Sequence, residues 1–234
     1  MKKVKYIALA VLFICSSTAI NYAQSAEKET RNLKGFTKVS FGVPGNLYIN
    51  IGQDFKLTLE GDKDFLAEIE TEVTDGKLVI KRDSWGSFNN KKVIVNITMP
   101  SLEGLSVSGS GQAEVMDALK AGALKLSVSG RGRLILNDTE AESVDGSISG
   151  SGDIIVKGRG RAAEADIDIS GSGSYAGESF TLNEADINIS GSGSCVCDVK
   201  DILEAHVSGS GNISYSGNPK VDARVSGSGR VRSR

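Results

Sequence analysis

Residues 164–193 read EADIDISGSGSYAGESFTLNEADINISGSG, and this stretch holds two copies of the pattern that decides the fold. In each copy a β-branched residue precedes Ser-Gly-X-Gly, where X is usually Ser. Seven copies occur in the second half of the chain, at intervals of 21, 20, 21, 20, 18 and 18 residues, and they start at Ser108, Ser129, Ser149, Ser170, Ser190, Ser208 and Ser226. A period near 20 residues is typical of a chain wound into stacked coils.

The alternation of side chains around each copy predicts which residues face the core. The residue before the first Ser is always Val or Ile, and in the first copy Val107, Gly109, Gly111 and Ala113 share one parity. Residues of one parity in a strand face the same side. We therefore expect both glycines of the pattern to point inward at a sharp corner of the coil, with the serines pointing outward.

A second apolar column follows the corners. Its members are Ala113, Leu134, Ile154, Tyr175, Cys195, Ile213 and Val231. Each coil thus carries at least two strands that cannot bury their inner face alone, and stacking of the coils buries it. Cys195 and Cys197 fall in inward columns, so we interpret them as small core residues rather than as a redox or metal pair.

The composition limits the class of protein. Of the 234 residues, 39% are hydrophobic, 28 are Gly and 3 are Pro, which suits a chain with a real core whose repeat positions the glycines. The formal net charge of −2 gives no electrostatic basis for binding nucleic acid.

The first residues predict export. Residues 1–25 begin with three lysines among the first five residues, continue with an apolar run over 7–14, and read as a signal peptide. The apolar run is too short to span a bilayer, and no later stretch is apolar enough for a transmembrane helix. A lipoprotein held through Cys15 is disfavoured, because residues 12–14 lack the small residue expected before such a cysteine. We expect the protein in the periplasm, at the outer surface or outside the cell.

Residues 30–100 lack the glycine corner but still indicate β-structure. Residues 37–41, 47–51 and 55–59 alternate as strands do, and 64–69 predicts one or two helical turns. We expect this part either to cap the coils or to form a β-rich module continuous with them. Trp85 lies in a polar loop and is a candidate for ligand contact, although packing against its own domain is the alternative.

The ordered combination of these segments resembles a known family. Residues 36–83, residues 93–115 and the further copies of SGSG are similar to the head GIN domain of putative auto-transporter adhesins, a bacterial family of uncharacterised function. The similarity covers about residues 36–230. It implies an exported all-β protein with a β-helical repeat, and it carries no catalytic residues to transfer.

Outward columns are where stacked coils would keep a functional site. Four residues before each first Ser stand Gly104, Lys125, Asp145, Asp166, Asp186, Glu204 and Asp222, which we call the acidic column. Two residues before it stand Ser106, Ser127, Ser147, Asp168, Asn188, His206 and Arg224, which we call the mixed column. Asp166, Asp168, Asp186 and Asn188 would then form a square of oxygen atoms on neighbouring coils.

This square is the predicted ligand site, together with Trp85. Hard oxygen ligands suit Ca²⁺, so Asp166, Asp168 and Asp186 are candidate ligands of a weakly bound calcium ion, and no other cofactor is expected. The alternative is a solvated acidic face that keeps the sheet from pairing with other sheets.

Three classes of function remain open. A β-helix enzyme that cleaves acidic polysaccharides would place carboxylates on one face, but it needs a cleft, and no long insertion between coils provides one. The serines of the pattern lack a His and acid partner, so we expect no catalytic residues. A binding module could take a glycan or a cell-surface protein on its outer rows, or associate through the open last coil, whose basic end is 230–234.

These observations combine into one expectation. Residues 1–25 form a signal peptide, 30–100 the N-terminal β-rich part, and 101–234 an all-β solenoid with coils of about 20 residues and Ser-Gly-X-Gly corners. The function expected is that of an exported, non-enzymatic adhesin or binding module at the cell surface or in the periplasm. A protein that binds or cleaves extracellular polysaccharide is the alternative.

Overall fold

The computed structural model describes residues 26–82 and 91–234. Of these described residues, 73% lie in strands, and they form a β-solenoid, as the sequence predicts, with about six turns. The N-terminal strands are β1 Glu27–Arg31, β2 Lys38–Phe41, β3 Gly45–Ile51, β4 Lys56–Gly61, β5 Ile69–Thr74, β6 Lys77–Arg82 and β7 Val93–Met99, with one short helix, α1 Lys63–Ala67. The repeat strands are β8 Gly104–Gly109, β9 Gln112–Val115, β10 Leu119–Gly130, β11 Arg133–Leu136, β12 Thr139–Gly150, β13 Asp153–Val156, β14 Gly160–Gly171, β15 Ser174–Gly191, β16 Ser194–Gly209, β17 Asn212–Ser216, β18 Lys220–Gly227 and β19 Arg230–Ser233.

Two ladders of parallel strands run the length of the stack. The first ladder contains β6, β2, β8, β10, β12, β14, β15, β16 and β18 in spatial order. The second contains β7, β3, β9, β11, β13, β15, β16, β17 and β19. Antiparallel strands extend both ladders at the N-terminal end: β5 on the first, and β4 followed by β1 on the second.

The N-terminal part is continuous with the repeat. Ser40 of β2 lies beside Ser106 of β8, and Leu47 of β3 lies beside Ala113 of β9. The helix α1 starts after Asp62, whose side chain accepts a hydrogen bond from the backbone N–H of Phe65 (3.1 Å). The coil formed by β2 and β3 has Val43, Pro44 and Gly45 at its corner instead of the serine pattern, and Gly45 has φ +145°.

The glycine corners differ from the prediction in one respect. The second Gly of each inner copy faces the core, where a Cβ on Gly132 would lie 2.6 Å from a methyl group of Val107. The first Gly lies at the bend itself and does not point inward. It takes φ values from +82° to +126°, and a Cβ on Gly150 would lie 2.6 Å from the carbonyl oxygen of Gly130 on the preceding coil. Strict alternation fails there because the left-handed backbone turns the chain through the corner.

Hydrogen bonds between corners hold the coils in register. The backbone N–H of Ser151 donates to the Gly130 carbonyl (2.8 Å), and that of Asp153 donates to the Gly132 carbonyl (3.1 Å). The same pair of bonds recurs at the following corners. Inside the stack, the aliphatic residue before each corner is buried from Val107 to Val207. The corner serines and the acidic column from Lys125 to Asp222 consequently lie on the outside, whereas Gly104 is buried.

Candidate functional site

An acidic groove runs along the outer surface of the first ladder, across β12, β14, β15 and β16. Alternation turns Glu164 and Asp166 outward while Ala165 between them is buried. The next coil repeats the arrangement with Glu184, Ala185 and Asp186, since Asp166 lies beside Asp186 in the ladder. The result is a groove of about 340 Å³ with carboxylates on both walls and small apolar residues between them.

The groove concentrates negative charge with little compensation. Its six carboxylates belong to Asp145, Glu164, Asp166, Glu184, Asp186 and Glu204. Lys125 at one end donates a hydrogen bond to Asp145 (2.6 Å). Among residues 26–82 and 91–234, no other lysine or arginine forms an ion pair with these six groups. Parallel stacking repeats the acids at the strand spacing of about 4.8 Å, so they repel one another unless a cation lies between them.

Burial and the neighbouring carboxylates both affect the pKa of Asp166. Partial burial raises the pKa of its carboxyl, and the carboxylates of Asp168, Asp186 and Asp145 raise that pKa further, while Lys125 opposes them. The carboxylates around Asp166 would stabilise a positive charge on a ligand in this part of the groove.

A second groove, which we call the serine groove, lies beside the first. It has a volume of about 650 Å³ and lies between two columns: the mixed-column residues Asp168, Asn188, His206 and Arg224, and the corner serines Ser170, Ser190, Ser208 and Ser226. Its mixed wall changes from acidic at Asp168 to basic at Arg224. Within the described chain, none of these four serine hydroxyls makes a hydrogen bond to another protein group.

The structure brings the predicted site residues together as neighbours. Asp168 lies beside Asn188, as Asp166 lies beside Asp186, and the Asn188 side-chain amide donates to Asp186 (3.2 Å). The two pairs face different grooves: Asp166 and Asp186 line the acidic groove, whereas Asp168 and Asn188 line the serine groove. In the parts of the chain that the structure describes, no three His, Cys, Asp or Glu side chains are grouped so that they could hold a metal ion. Calcium binding therefore stays a prediction.

Sequence reasoning missed the second wall of the acidic groove. Glu164 and Glu184 stand two residues before the acidic column and continue the same outward alternation. Extending the aligned columns by one more outward position would have found them. Trp85 and residues 1–25, with Cys15, lie outside the described residues, so the contact and signal-peptide predictions made on them remain predictions.

Both cysteines lie in the core, as the sequence predicts. Cys195 and Cys197 are buried and free. A hydrogen bond with Cys197 and burial raise the pKa of the Cys195 thiol well above its ordinary value, which keeps it protonated and unreactive. Tyr175 lies beside Cys195 in the ladder, and its buried hydroxyl has no hydrogen-bond partner among the described residues.

Comparisons with known proteins agree with the fold. The family profile described as "Putative auto-transporter adhesin, head GIN domain" matches residues 35–219. A comparison with curated proteins gave no match. No helix within residues 26–82 and 91–234 is long and apolar enough to cross a membrane.

Solved structures share the architecture at low sequence identity. A putative adhesin from Bacteroides fragilis has a TM-score of 0.83 and 23% identity over 91% of this chain and 98% of its own. A putative lipid binding protein from Parabacteroides distasonis has a TM-score of 0.74 and 21% identity, with coverage of 91% and 98%. A putative adhesin from Parabacteroides merdae has a TM-score of 0.71 and 21% identity, with coverage of 91% and 97%. Similarity at this level establishes the fold alone.

Proposed function

Because the chain belongs to the "Putative auto-transporter adhesin, head GIN domain" family, we propose that it is an exported, non-enzymatic binding protein that holds a positively charged partner in its acidic groove. The observation that carries this proposal is the groove itself, whose six carboxylates have one lysine partner in the described chain. A surface that gained only solubility from its acids would not need them on two facing walls. The ligand expected is a basic segment of a cell-surface protein or an amino-sugar glycan.

The apolar residues between the walls define how such a ligand would lie. Val144, Ala165 and Ala185 point into the core, so no side chain fills the space between the walls and an extended chain can approach the backbone of the sheet closely. Its cationic groups would then meet acids that repeat at about 4.8 Å along the stack. Binding of this kind depends on charge, and it weakens as salt screens the groups.

Binding of defined cationic probes tests the proposal. We expect an extended lysine-rich peptide and a chitosan oligosaccharide to bind in isothermal calorimetry, and a glutamate-rich peptide not to bind. The variant Asp166→Asn/Asp186→Asn should lower the affinity at least tenfold, which corresponds to about 1.4 kcal/mol. Its matched control, Asp54→Asn/Asp75→Asn, removes two carboxylates from exposed turns and should bind as the parent does. Equal loss in both variants, or no binding by the parent, would contradict the proposal.

Polysaccharide binding or cleavage is the alternative function. Anionic polysaccharides would meet six carboxylates of the same sign, so they could bind this face only through bridging cations. Neutral and acidic polysaccharides belong in the same assays, with product release followed by reducing-end detection. Formation of product from any of them would overturn the non-enzymatic assignment.

Calcium is the ion to test on the same face. Side-chain rotation of Asp166, Asp168 and Asp186 would let their oxygens share a weakly held Ca²⁺. We expect millimolar calcium to raise the melting temperature of the parent protein and to leave that of Asp166→Asn/Asp186→Asn unchanged. An unchanged melting temperature of the parent at millimolar calcium would rule out the site.

A further inference from the structure

The serine groove differs from the acidic groove in its charge. Among the described residues that line it, Asp168 is the one carboxylate, and Arg224 at the opposite end is itself paired with Asp222 (3.5 Å). Its volume of about 650 Å³ is within the range of about 300–1,000 Å³ that is typical of ligand sites. Because neither charge is concentrated in this groove, it favours a neutral ligand over a polycation or a polyanion.

A row of serine hydroxyls forms one wall of the groove. Ser170 lies beside Ser190, and Ser190 lies beside Ser208, on β14, β15 and β16. Each of these strands pairs on both sides in the first ladder, so this part of the wall lies within the stack rather than at its last coil. The three side chains are exposed and, within the described residues, their hydroxyls form no hydrogen bond with the protein. Each hydroxyl can therefore donate one hydrogen bond to a ligand and accept others from it.

The opposite wall also carries polar groups that the protein does not use. In residues 26–82 and 91–234, neither the Asp168 carboxylate nor the His206 ring has a hydrogen bond or an ion pair. Asn188 between them donates its side-chain N–H to Asp186 (3.2 Å), and its side-chain oxygen accepts no bond in this part of the chain. The aliphatic residues between the walls point into the core, so the space above the sheet is open to a ligand. Donors and acceptors thus face this space from both sides, which suits a ligand rich in hydroxyl groups.

We propose that the serine groove binds a neutral, extended β-1,4-linked glycan that lies along the stack with one sugar ring at each coil. The serines repeat at the strand spacing of about 4.8 Å, and one ring of such a glycan has nearly this length. An extended peptide fits less well, because its side chains on one face repeat about every 6.6 Å, at about 3.3 Å per residue. The site is separate from the acidic groove, and this proposal does not rest on the binding of a cationic partner there.

Oligosaccharides of increasing length test the arrangement of one ring at each coil. Calorimetric titrations would use neutral cello-, xylo- and N-acetylchito-oligosaccharides of two, four and six rings. For at least one series, we expect the affinity to rise at least tenfold from two rings to four and to change little from four to six, because the groove spans four coils. Added salt should leave this affinity unchanged, since the ligand carries no charge.

Serine substitutions on the same coils locate the bound glycan. Ser170→Ala/Ser190→Ala removes two hydroxyls from the groove and should lower the affinity at least tenfold. Its matched control, Ser172→Ala/Ser192→Ala, removes two exposed hydroxyls two residues further along the same coils and outside the groove, and it should bind as the parent does. Circular dichroism confirms that each variant is folded.

Two further measurements separate this proposal from the one for the acidic groove. Glu164→Gln/Asp166→Asn should bind the glycan as the parent does and the lysine-rich peptide more weakly, so either proposal can fail alone. A neutral serine-rich peptide serves as the competing ligand. Absence of binding in all three series, an affinity that does not depend on length, equal loss in the two serine variants, or binding of this peptide without binding of any glycan would each overturn the proposal.

Discussion

At the scale of single residues, the first glycine of each inner corner combines a positive φ with no room for a Cβ. Gly150 has φ +115°, and a Cβ there would lie 2.6 Å from the Gly130 carbonyl oxygen, which also accepts the hydrogen bond of Ser151. We expect Gly150→Ala to lower the free energy of unfolding by about 2 to 4 kcal/mol, from backbone strain and the collision together. Urea denaturation measures this loss in the free energy of unfolding.

Gly122 supplies the matched control for that substitution. It is exposed, and the nearest atom to an added Cβ is a carboxylate oxygen of Glu142 at 3.9 Å. Gly122→Ala should change stability by less than about 0.5 kcal/mol. Equal effects of the two substitutions would show that the corner conformation is not what the glycine provides.

Tyr175 offers a substitution expected to stabilise the protein. Its ring lies over Gly177 in the core, and its hydroxyl is buried without a partner in the described chain. Burial of an unpaired hydroxyl costs free energy, so Tyr175→Phe should raise the free energy of unfolding by about 1 kcal/mol. Tyr215→Phe, at a partly exposed position of the neighbouring column, should have little effect. A loss of stability in Tyr175→Phe, measured by urea denaturation, would show that the hydroxyl has a partner.

At the scale of elements, the acidic groove makes β14 sensitive to pH. Since the pKa of Asp166 is raised in the folded protein by burial and neighbouring carboxylates, the folded state holds its proton more tightly than the unfolded chain. The free energy of unfolding therefore falls as pH rises from the ordinary aspartate pKa through the raised one. Asp166→Asn removes this loss, so its melting temperature should exceed that of the parent at pH 7, with a smaller difference at pH 3.

Asp145→Asn is the control on the same face. Its carboxylate is paired with Lys125 and both side chains are more than half exposed, so this substitution removes a surface ion pair of small worth. It should leave the melting temperature at pH 7 unchanged or slightly lowered. Thermal melts of the parent, Asp166→Asn and Asp145→Asn from pH 3 to pH 7 measure these differences in melting temperature. A parent whose melting temperature rises steadily over that range, with Asp166→Asn no more stable than the parent, would contradict the prediction.

The strands also show where prediction from sequence succeeds and where it stops. Alternation together with the repeat period places Asp166 beside Asp186 correctly, because identical spacing forces identical registers. Alternation fails at the corner, because the first glycine has a positive φ and alternate residues there no longer face opposite sides of the sheet. It also cannot show that Glu164 and Asp166 enclose a groove, since the space between two outward side chains of one strand depends on their conformations.

At the scale of the whole molecule, stability should decrease along the stack toward the last coil. In a repeat protein each coil is held by its own strands and by contacts with its neighbours. β14 pairs on both sides, whereas β18 has one neighbour and every one of its residues is exposed. Local opening of the last coil therefore breaks fewer contacts than opening of a central one.

Hydrogen exchange followed by mass spectrometry would detect this gradient. Amides in residues 220–227 should exchange at least 100-fold faster than those in residues 160–171, since the latter require opening of a doubly paired coil. Equal protection of β18 and β14 would contradict the prediction, because it would mean that a strand with one neighbour opens as rarely as a strand with two.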